Sequence, residues 1–424
     1  TARLRKQMGI EGRAPDNPSE APLKWPRPRM INLYHCENVL IRDITILNSP
    51  AWTVHPVYCE NVTIDNVSVT APYGSPNTDG INPDSCRYVR ISNCYVDVGD
   101  DCITLNSGYN DYGRPVGEPC ENVVITNCTT AHGRGGVVIG SEMSGDVRNV
   151  TVSNCVFDGT LRGLRIKTER GRGGVVENIR ATNNVMRGID IGFSITMYYL
   201  AAGTRTKQPV TEETPRIRNI HYDNTTMTEA RSPATIVGLP EMPVQDLHLT
   251  NLRVGASMGA LHVQDANGVF LNNVFVDTEN SPLLVAERVS ELDVDRLNDR
   301  DPTSDVPILQ FDHVDGAYVT ACSVPEGVGT FLEKVGDTNQ DLRLTVNRIS
   351  EATERETTVE DRTFYPPLPQ PARATVRARW GNVPIGRIER EVRGERVVYR
   401  LERAVDGTSV ELVVAEDGTL IEAP

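Results

Sequence analysis

The 424-residue chain is poor in aromatic side chains, at 5%, and carries only five lysines among its 43 basic residues. No apolar run approaches the ~18 residues that a membrane-spanning helix requires. Scarce aromatics beside 34 glycines argue against a helical bundle and for short strands joined by many turns. Positive charge is also in deficit: 43 basic against 57 acidic side chains leave a formal net charge of −14. A nucleic-acid partner is thereby disfavoured, since phosphate binding needs the opposite sign. A polyanionic sugar would be repelled as well, so such a substrate would have to meet a local cationic cluster. The nine cysteines, at 36, 59, 86, 94, 102, 120, 128, 155 and 322, include no Cys-x-x-Cys pair. That argues against a zinc site or a redox motif, and no metal or cofactor is expected. No basic-then-apolar leader follows Thr1, so export is not readable from the chain itself.

What is present is a repeat. Cys-Glu-Asn-Val-x-Ile occurs at Cys36 to Ile41 and Cys59 to Ile64, and nearly so at Cys120 to Ile125. Weaker copies follow, and the first aliphatic of each falls at positions 39, 62, 89, 123, 150, 179, 220, 247 and 269. Each copy alternates apolar and polar residues over four to six positions, the pattern of a strand with one buried face. No amphipathic helix separates the copies, which argues against doubly wound and leucine-rich architectures. A coil of about 22 to 28 residues that returns on itself is the signature of a parallel β-helix, in which equivalent residues of successive coils stack about 4.8 Å apart. Most of the cysteines occupy one recurring place in the coil, which suits a small side chain stacked in a core. The fold expected is therefore all-β, a right-handed parallel β-helix over residues 1–350. Its first coil would expose an open strand edge, so residues 1–24 or something outside the chain should cover it.

The repeat fades near residue 350. A proline-rich linker is expected over 351–371, then a small α+β domain over 372–424. Ala372 to Trp380 reads as a helix, followed by strands at Arg387 to Val392, Val397 to Glu402 and Ser409 to Val414, with turns at Arg393-Gly394, Asp406-Gly407 and Asp417-Gly418. This tail weakly resembles small PepSY-type domains in its closing Asp-Gly-Thr-Leu step.

Four motifs break the repeat: Asn77-Thr78-Asp79-Gly80, Gly99-Asp100-Asp101-Cys102, His132-Gly133-Arg134-Gly135-Gly136 and Arg165-Ile166-Lys167. Asp79 and Asp100 are 21 residues apart, close to one coil, so their carboxylates can project from the same edge of adjacent rungs. In a regular strand, one of the consecutive pair Asp100 and Asp101 would be buried, so the chain must bulge or turn there, and Gly99 suits that. Crowded carboxylates suppress one another's ionisation, which can leave one protonated near working pH. Glycoside cleavage needs such an acid and a base to activate water. Arg165 and Lys167 share one face of a strand while Ile166 turns to the core. Two cations side by side suit a carboxylate, which Arg can bind bidentately. They are the cationic cluster that an acidic sugar requires. Arg162, Arg170 and Arg172 either thicken that field or solvate loops.

These motifs, in this order and at about one per coil, resemble glycoside hydrolase family 28, the polygalacturonases and related pectinases, over residues 25–200. The resemblance implies an enzyme that hydrolyses α-1,4-galacturonosyl linkages of pectin or polygalacturonate with inversion. In it Asp100 is the general acid, and Asp79 and Asp101 hold the attacking water. It further implies substrate contacts by Asn77, His132, Arg134, Arg165 and Lys167, and a secreted, periplasmic or cell-surface setting. The Ser141 to Gly145 and Arg162 to Gly174 stretches look most like exo-acting bacterial members. Two positions depart from the family pattern. Arg134 stands where a histidine is usual, so either His132 supplies the imidazole or Arg134 replaces it, and both are read as substrate contacts. Asn106 stands where a basic residue is common. These departures prompt a rhamnogalacturonan or xylogalacturonan hydrolase as the alternative. A non-catalytic β-helix that binds acidic polysaccharide and a calcium-dependent lyase are further readings. Tyr198 and Tyr199 are candidates to stack on a sugar ring, and His55 is expected to be structural.

Overall fold

The computed structural model describes residues 27–199, 205–278, 281–299, 306–324, 326–349, 352–358 and 368–381, and most of 383–422. Strands of three to 18 residues dominate, and 22 of them join in one sheet network whose pairings are parallel from Glu37 to Thr357. The chain winds as a right-handed parallel β-helix. All nine repeat anchors lie in one register: Val39 pairs with Val62, Val62 with Val89, Val89 with Val123, Val123 with Val150, and Val150 with Ile179. The series runs on through Ile220, Leu247 and Val269. It then continues past the last recognisable copy to Leu292, Ala317 and Leu342. From Val62 to Ala317 these side chains are buried, at about 1.5–3 kcal/mol for each larger aliphatic.

The turns explain why the coils bend where they do. Asn38, Asn61, Asn122, Asn149, Asn178 and Asn219 all sit at φ between 55° and 57°. L-residues avoid that region, and asparagine is among the few that tolerate it. Their amides then bond rung to rung: Asn61 to Asn38 at 2.6 Å, Asn149 to Asn122 at 3.1 Å, Asn178 to Asn149 at 2.9 Å and Asn219 to Asn178 at 2.7 Å. The cysteines are free thiols, eight of the nine buried. Cys36, Cys59 and Cys86 form a stack, each backbone N–H donating to the next Sγ at 3.3 and 3.4 Å. Packing accounts for them, as the repeat implied.

The expected linker is shorter than its prolines suggest. Thr353–Thr357 is a strand paired in parallel with Thr330–Val335, which adds a rung beyond residue 350. The helix starts at Gln370, because a proline is acceptable in a first turn, where its missing N–H is not needed. Residues 359–367 lie outside the described residues, as does the expected N-terminal cover at 1–24. Beyond the helix, strands Arg387–Arg393, Arg396–Val405, Thr408–Ala415 and Leu420–Glu422 form an antiparallel sheet. Leu368, Val376, Trp380, Tyr399, Leu401, Leu412 and Val414 give this unit its own core. Among the described residues, no helix is long and apolar enough to cross a membrane.

Candidate active site

Strands Ile103–Leu105, Val137–Gly140, Arg162–Lys167, Ile191–Thr196 and Ser232–Val237 stack in parallel. Register places Thr104, Val138, Arg165, Ser194 and Thr235 in one column. Gly140, Lys167, Thr196 and Val237 form the next column but one. Period-2 alternation thus holds Arg165 and Lys167 on one face, while Ile166 is buried in the core cluster.

The carboxylates come from the turns that enter these strands. Asp79 and Asp101 occupy equivalent places: Gly80 N–H donates to Asp101 O at 3.0 Å, and Cys102 N–H to Gly135 O at 2.8 Å. The residue stacked with Asp79 is therefore Asp101, 22 positions on, rather than Asp100 at 21. The strand begins only at Ile103, so neither Asp100 nor Asp101 is bound by strand alternation, as the sequence required. Gly99 permits that turn by close approach. A Cβ there would lie 2.4 Å from Ser75 O and 2.5 Å from Ser75 N.

One oxygen from each of Asp79, Asp100 and Asp101 lies within 4.8 Å of the other two. Asp101 is fully buried and receives Lys167 Nζ at 2.6 Å, with an Arg165 guanidinium nitrogen at 3.9 Å. Asp100 accepts the Asn77 N–H at 3.0 Å and its neighbour's N–H at 3.0 Å, and Arg134 Nε is 4.0 Å away. Burial, then the charges of Asp100 and Asp101, push the Asp79 carboxyl well above its ordinary range. Burial and Asp101 also raise Asp100. Burial works against the Lys167 charge, but Asp101 outweighs it, so the ammonium is held protonated. The trio thus combines two carboxyls whose charged forms are disfavoured with one paired to a buried lysine, and its protons are a shared property. One cation already occupies the cluster, which weakens the calcium reading.

The remaining expected contacts divide. Asn77 touches Asp100 through its backbone at φ 55°, so its part is to seat the acid. Tyr199 lies under the cationic pair, with Lys167 Nζ 4.7 Å and Arg165 Cζ 5.3 Å from its ring centroid. Tyr198 instead packs against Arg170 and Arg205. Arg134 borders Asp100, whereas the exposed His132 hydrogen-bonds Asp97 at 3.0 Å and meets Tyr73 edge-on. His132 and Arg134 are not set on one face by strand alternation, because positive φ at His132 and Gly133 turns the chain between them. Val98 pairs with His132 in a different sheet face from Val137–Gly140. His55 is buried and bonded to Asn32 at 2.8 Å, a structural role.

The other arginines do not form a free positive field. Arg162 pairs with Asp190 at 3.1 Å and Arg170 with Glu241 at 2.6 Å. Arg172 is 1% exposed. It donates to Ser141 O at 2.8 Å and Asn110 Oδ1 at 2.6 Å, pairs with Glu169 at 3.0 Å and lies 4.0 Å over the Tyr109 ring. It is a keystone for the loops flanking the site. Sequence reading gave it to a positive field or a solvated loop, because one arginine in Arg170-Gly171-Arg172 looks like the other. Asp190 and Arg231, which continue the same edge beyond Arg162, were missed, since neither stands in a motif.

Residues 17–267 match the family described as glycosyl hydrolases family 28. A probable polygalacturonase of Vitis vinifera is 36% identical over 233 residues, which cover 55% of this chain and 47% of that protein. An exopolygalacturonase of Platanus acerifolia is 29% identical, covering 51% of this chain and 56% of its own length. The chain spans about half the length of these relatives. Among solved structures, a hyperthermoactive exopolygalacturonase from Thermotoga maritima aligns with a TM-score of 0.48 and 33% identity, over 61% of this chain and 55% of that one.

Proposed function

The chain belongs to the glycosyl hydrolases family 28, and on that premise we propose that it hydrolyses α-1,4-galacturonosyl linkages of pectin or polygalacturonate. The observation that carries the reading is the pairing of three close carboxylates with two cations in one site. Arg165 and Lys167 would receive the carboxylate of a galacturonate unit, with Tyr199 beneath them. Asp100 would protonate the leaving oxygen while Asp79 and Asp101 hold the attacking water. Most inverting glycosidases separate acid and base carboxyls by ~6.5–9.5 Å to admit that water, wider than the separation here, where one oxygen of each carboxyl lies within 4.8 Å of the others. Two bases flanking one water relax that requirement, and inversion is the outcome proposed, with exo action favoured. Pectin is an extracellular polymer, so the setting proposed is extracellular.

The test is a panel of polygalacturonate, galacturonate oligomers, rhamnogalacturonan and xylogalacturonan, with products followed by reducing-end assay and proton NMR. Reducing ends from the homogalacturonan substrates, with the β anomer first, support the reading. An α anomer first would overturn inversion, and binding without release would overturn hydrolysis. The branched substrates form a second arm because Asn106, buried and uncharged, stands where a basic residue is usual. Preference for them would replace the substrate assignment.

A further inference from the structure

The edge that carries the acids can be followed rung by rung. Gly80 bonds to Asp101, Cys102 to Gly135, Gly136 to Arg162, Ile191 to Leu161, Ser232 to Asp190, and Met258 to Arg231. Arg231 and Met258 thus stand four and five rungs beyond Asp101, roughly 20 Å along the solenoid at about 4.8 Å per rung. Both touch the C-terminal unit. Arg231 donates to Ile388 O at 3.5 Å, and Arg373, itself buried, donates from the tail helix to Met258 O at 3.4 Å. Arg231 is 5% exposed and clasps Asp190, which also holds Arg162. The tail strand Arg387–Arg393 is therefore seated on the row of ion pairs that leads back to the acids. Its Glu389, next to Ile388, lies within electrostatic reach of both Arg162 and Arg134.

We propose that the C-terminal α+β unit walls off the groove on this side of the acids, with Glu389 as a specificity-determining residue that repels additional galacturonate units. The proposal rests on the galacturonate reading above. A polyanion advancing past Arg165 and Lys167 meets a carboxylate that offsets the charge of Arg134 and Arg162, and beyond it a folded unit. Short acidic oligomers fit, and longer ones are resisted at each further carboxylate. A wall at this distance limits the number of sugar units on one side of the cleavage point, which is the geometric basis of exo action.

The experiment is kcat/KM against oligomer length, from galacturonate dimer to hexamer, for the full chain and its Glu389→Gln and Glu389→Asp variants. Glu389→Gln is expected to raise kcat/KM for the hexamer about fivefold relative to the dimer, the size of one like-charge contact screened by water. Glu389→Asp keeps the charge and is expected to keep the wild-type length dependence. An equal fall for every length in Glu389→Gln, or the same profile in both variants, would overturn the role of Glu389. Wild-type protein that cleaves no galacturonate oligomer would instead bring down the galacturonate reading and this inference with it. Cleavage by all three with unchanged length dependence would overturn this inference alone. Should Glu389→Gln loosen the tail, wild-type length dependence across rising salt gives a second readout. The hexamer disadvantage is expected to shrink as salt screens Glu389, and a salt-independent ratio would contradict the proposal.

Discussion

The asparagine turns and the acid edge are built on the same coils, yet one repeats a single residue and the other almost never does. Stacking identical neutral amides is favourable, because each Asn donates to the rung before it and accepts from the rung after it. Stacking identical charges 4.8 Å apart is not. The acid edge accordingly reads Asp79, Asp101, Gly135, Arg162, Ile191 and Ser232 in register, and its later charges are offset by opposite ones, Arg162 and Arg231 both pairing with Asp190. Its adjacent like charges are Asp79 and Asp101, joined by Asp100, and that is the site. The solenoid supplies stability by repetition and chemistry by a local exception to it.

Lys167→Met breaks the exception most severely. It leaves the Asp101 carboxylate buried without its principal partner, and is expected to cost about 3–5 kcal/mol together with at least ~100-fold in turnover. Urea denaturation and reducing-end assays check the two effects. Stability loss with full turnover would remove Lys167 from the chemistry. Arg172→Met comes next, at about 2–4 kcal/mol, because it removes the ion pair with Glu169 and the bonds to Ser141 and Asn110. A change below ~1 kcal/mol in chemical denaturation would contradict the keystone role.

On the repeating side, losses are expected to be smaller and local. Asn178→Ala should cost about 2 kcal/mol, from strain at φ 57° and the two lost ladder bonds. Asn178→Gly relieves the strain and should cost about 1 kcal/mol. Equal losses in the two would mean that backbone strain plays no part.

Asp79→Asn has the opposite sign. A carboxyl whose folded pKa is raised binds its proton more tightly when folded, so its contribution is complete below the unfolded pKa and is lost as pH rises through the folded one. Neutral Asn escapes that loss. Its melting temperature is expected to exceed wild type at pH 7, and the difference should vanish below about pH 4, while activity falls. A pH-independent difference in melting temperature would show that burial of charge at Asp79 is not a source of strain.

The solenoid was legible because its signal is redundant. Nine aliphatic anchors announced one register, and the register was found at every one. The copies past Val269 were harder to see because Glu291 and Arg296 replace the Asn markers and Val289 replaces the Cys, although the aliphatic alternation persists. The site was legible where a motif interrupts the repeat, and illegible where a single residue acts through tertiary contact. Arg165 and Lys167 announced their shared face by spacing alone. Arg172 did not, since its burial depends on Tyr109 and Ser141 from other coils. The placing of His132 was not legible either, since positive φ at His132 and Gly133 turns the chain away from strand alternation.

The central claim is that a carboxyl group at Asp100 does chemistry, held ready by its neighbours. Its most direct measurement is release of reducing ends from polygalacturonate by Asp100→Asn, with circular dichroism confirming an unchanged fold. The account predicts that turnover falls at least ~1,000-fold, within the range for loss of a general acid. Turnover within a few-fold of the parent, in a protein that still folds, would contradict it.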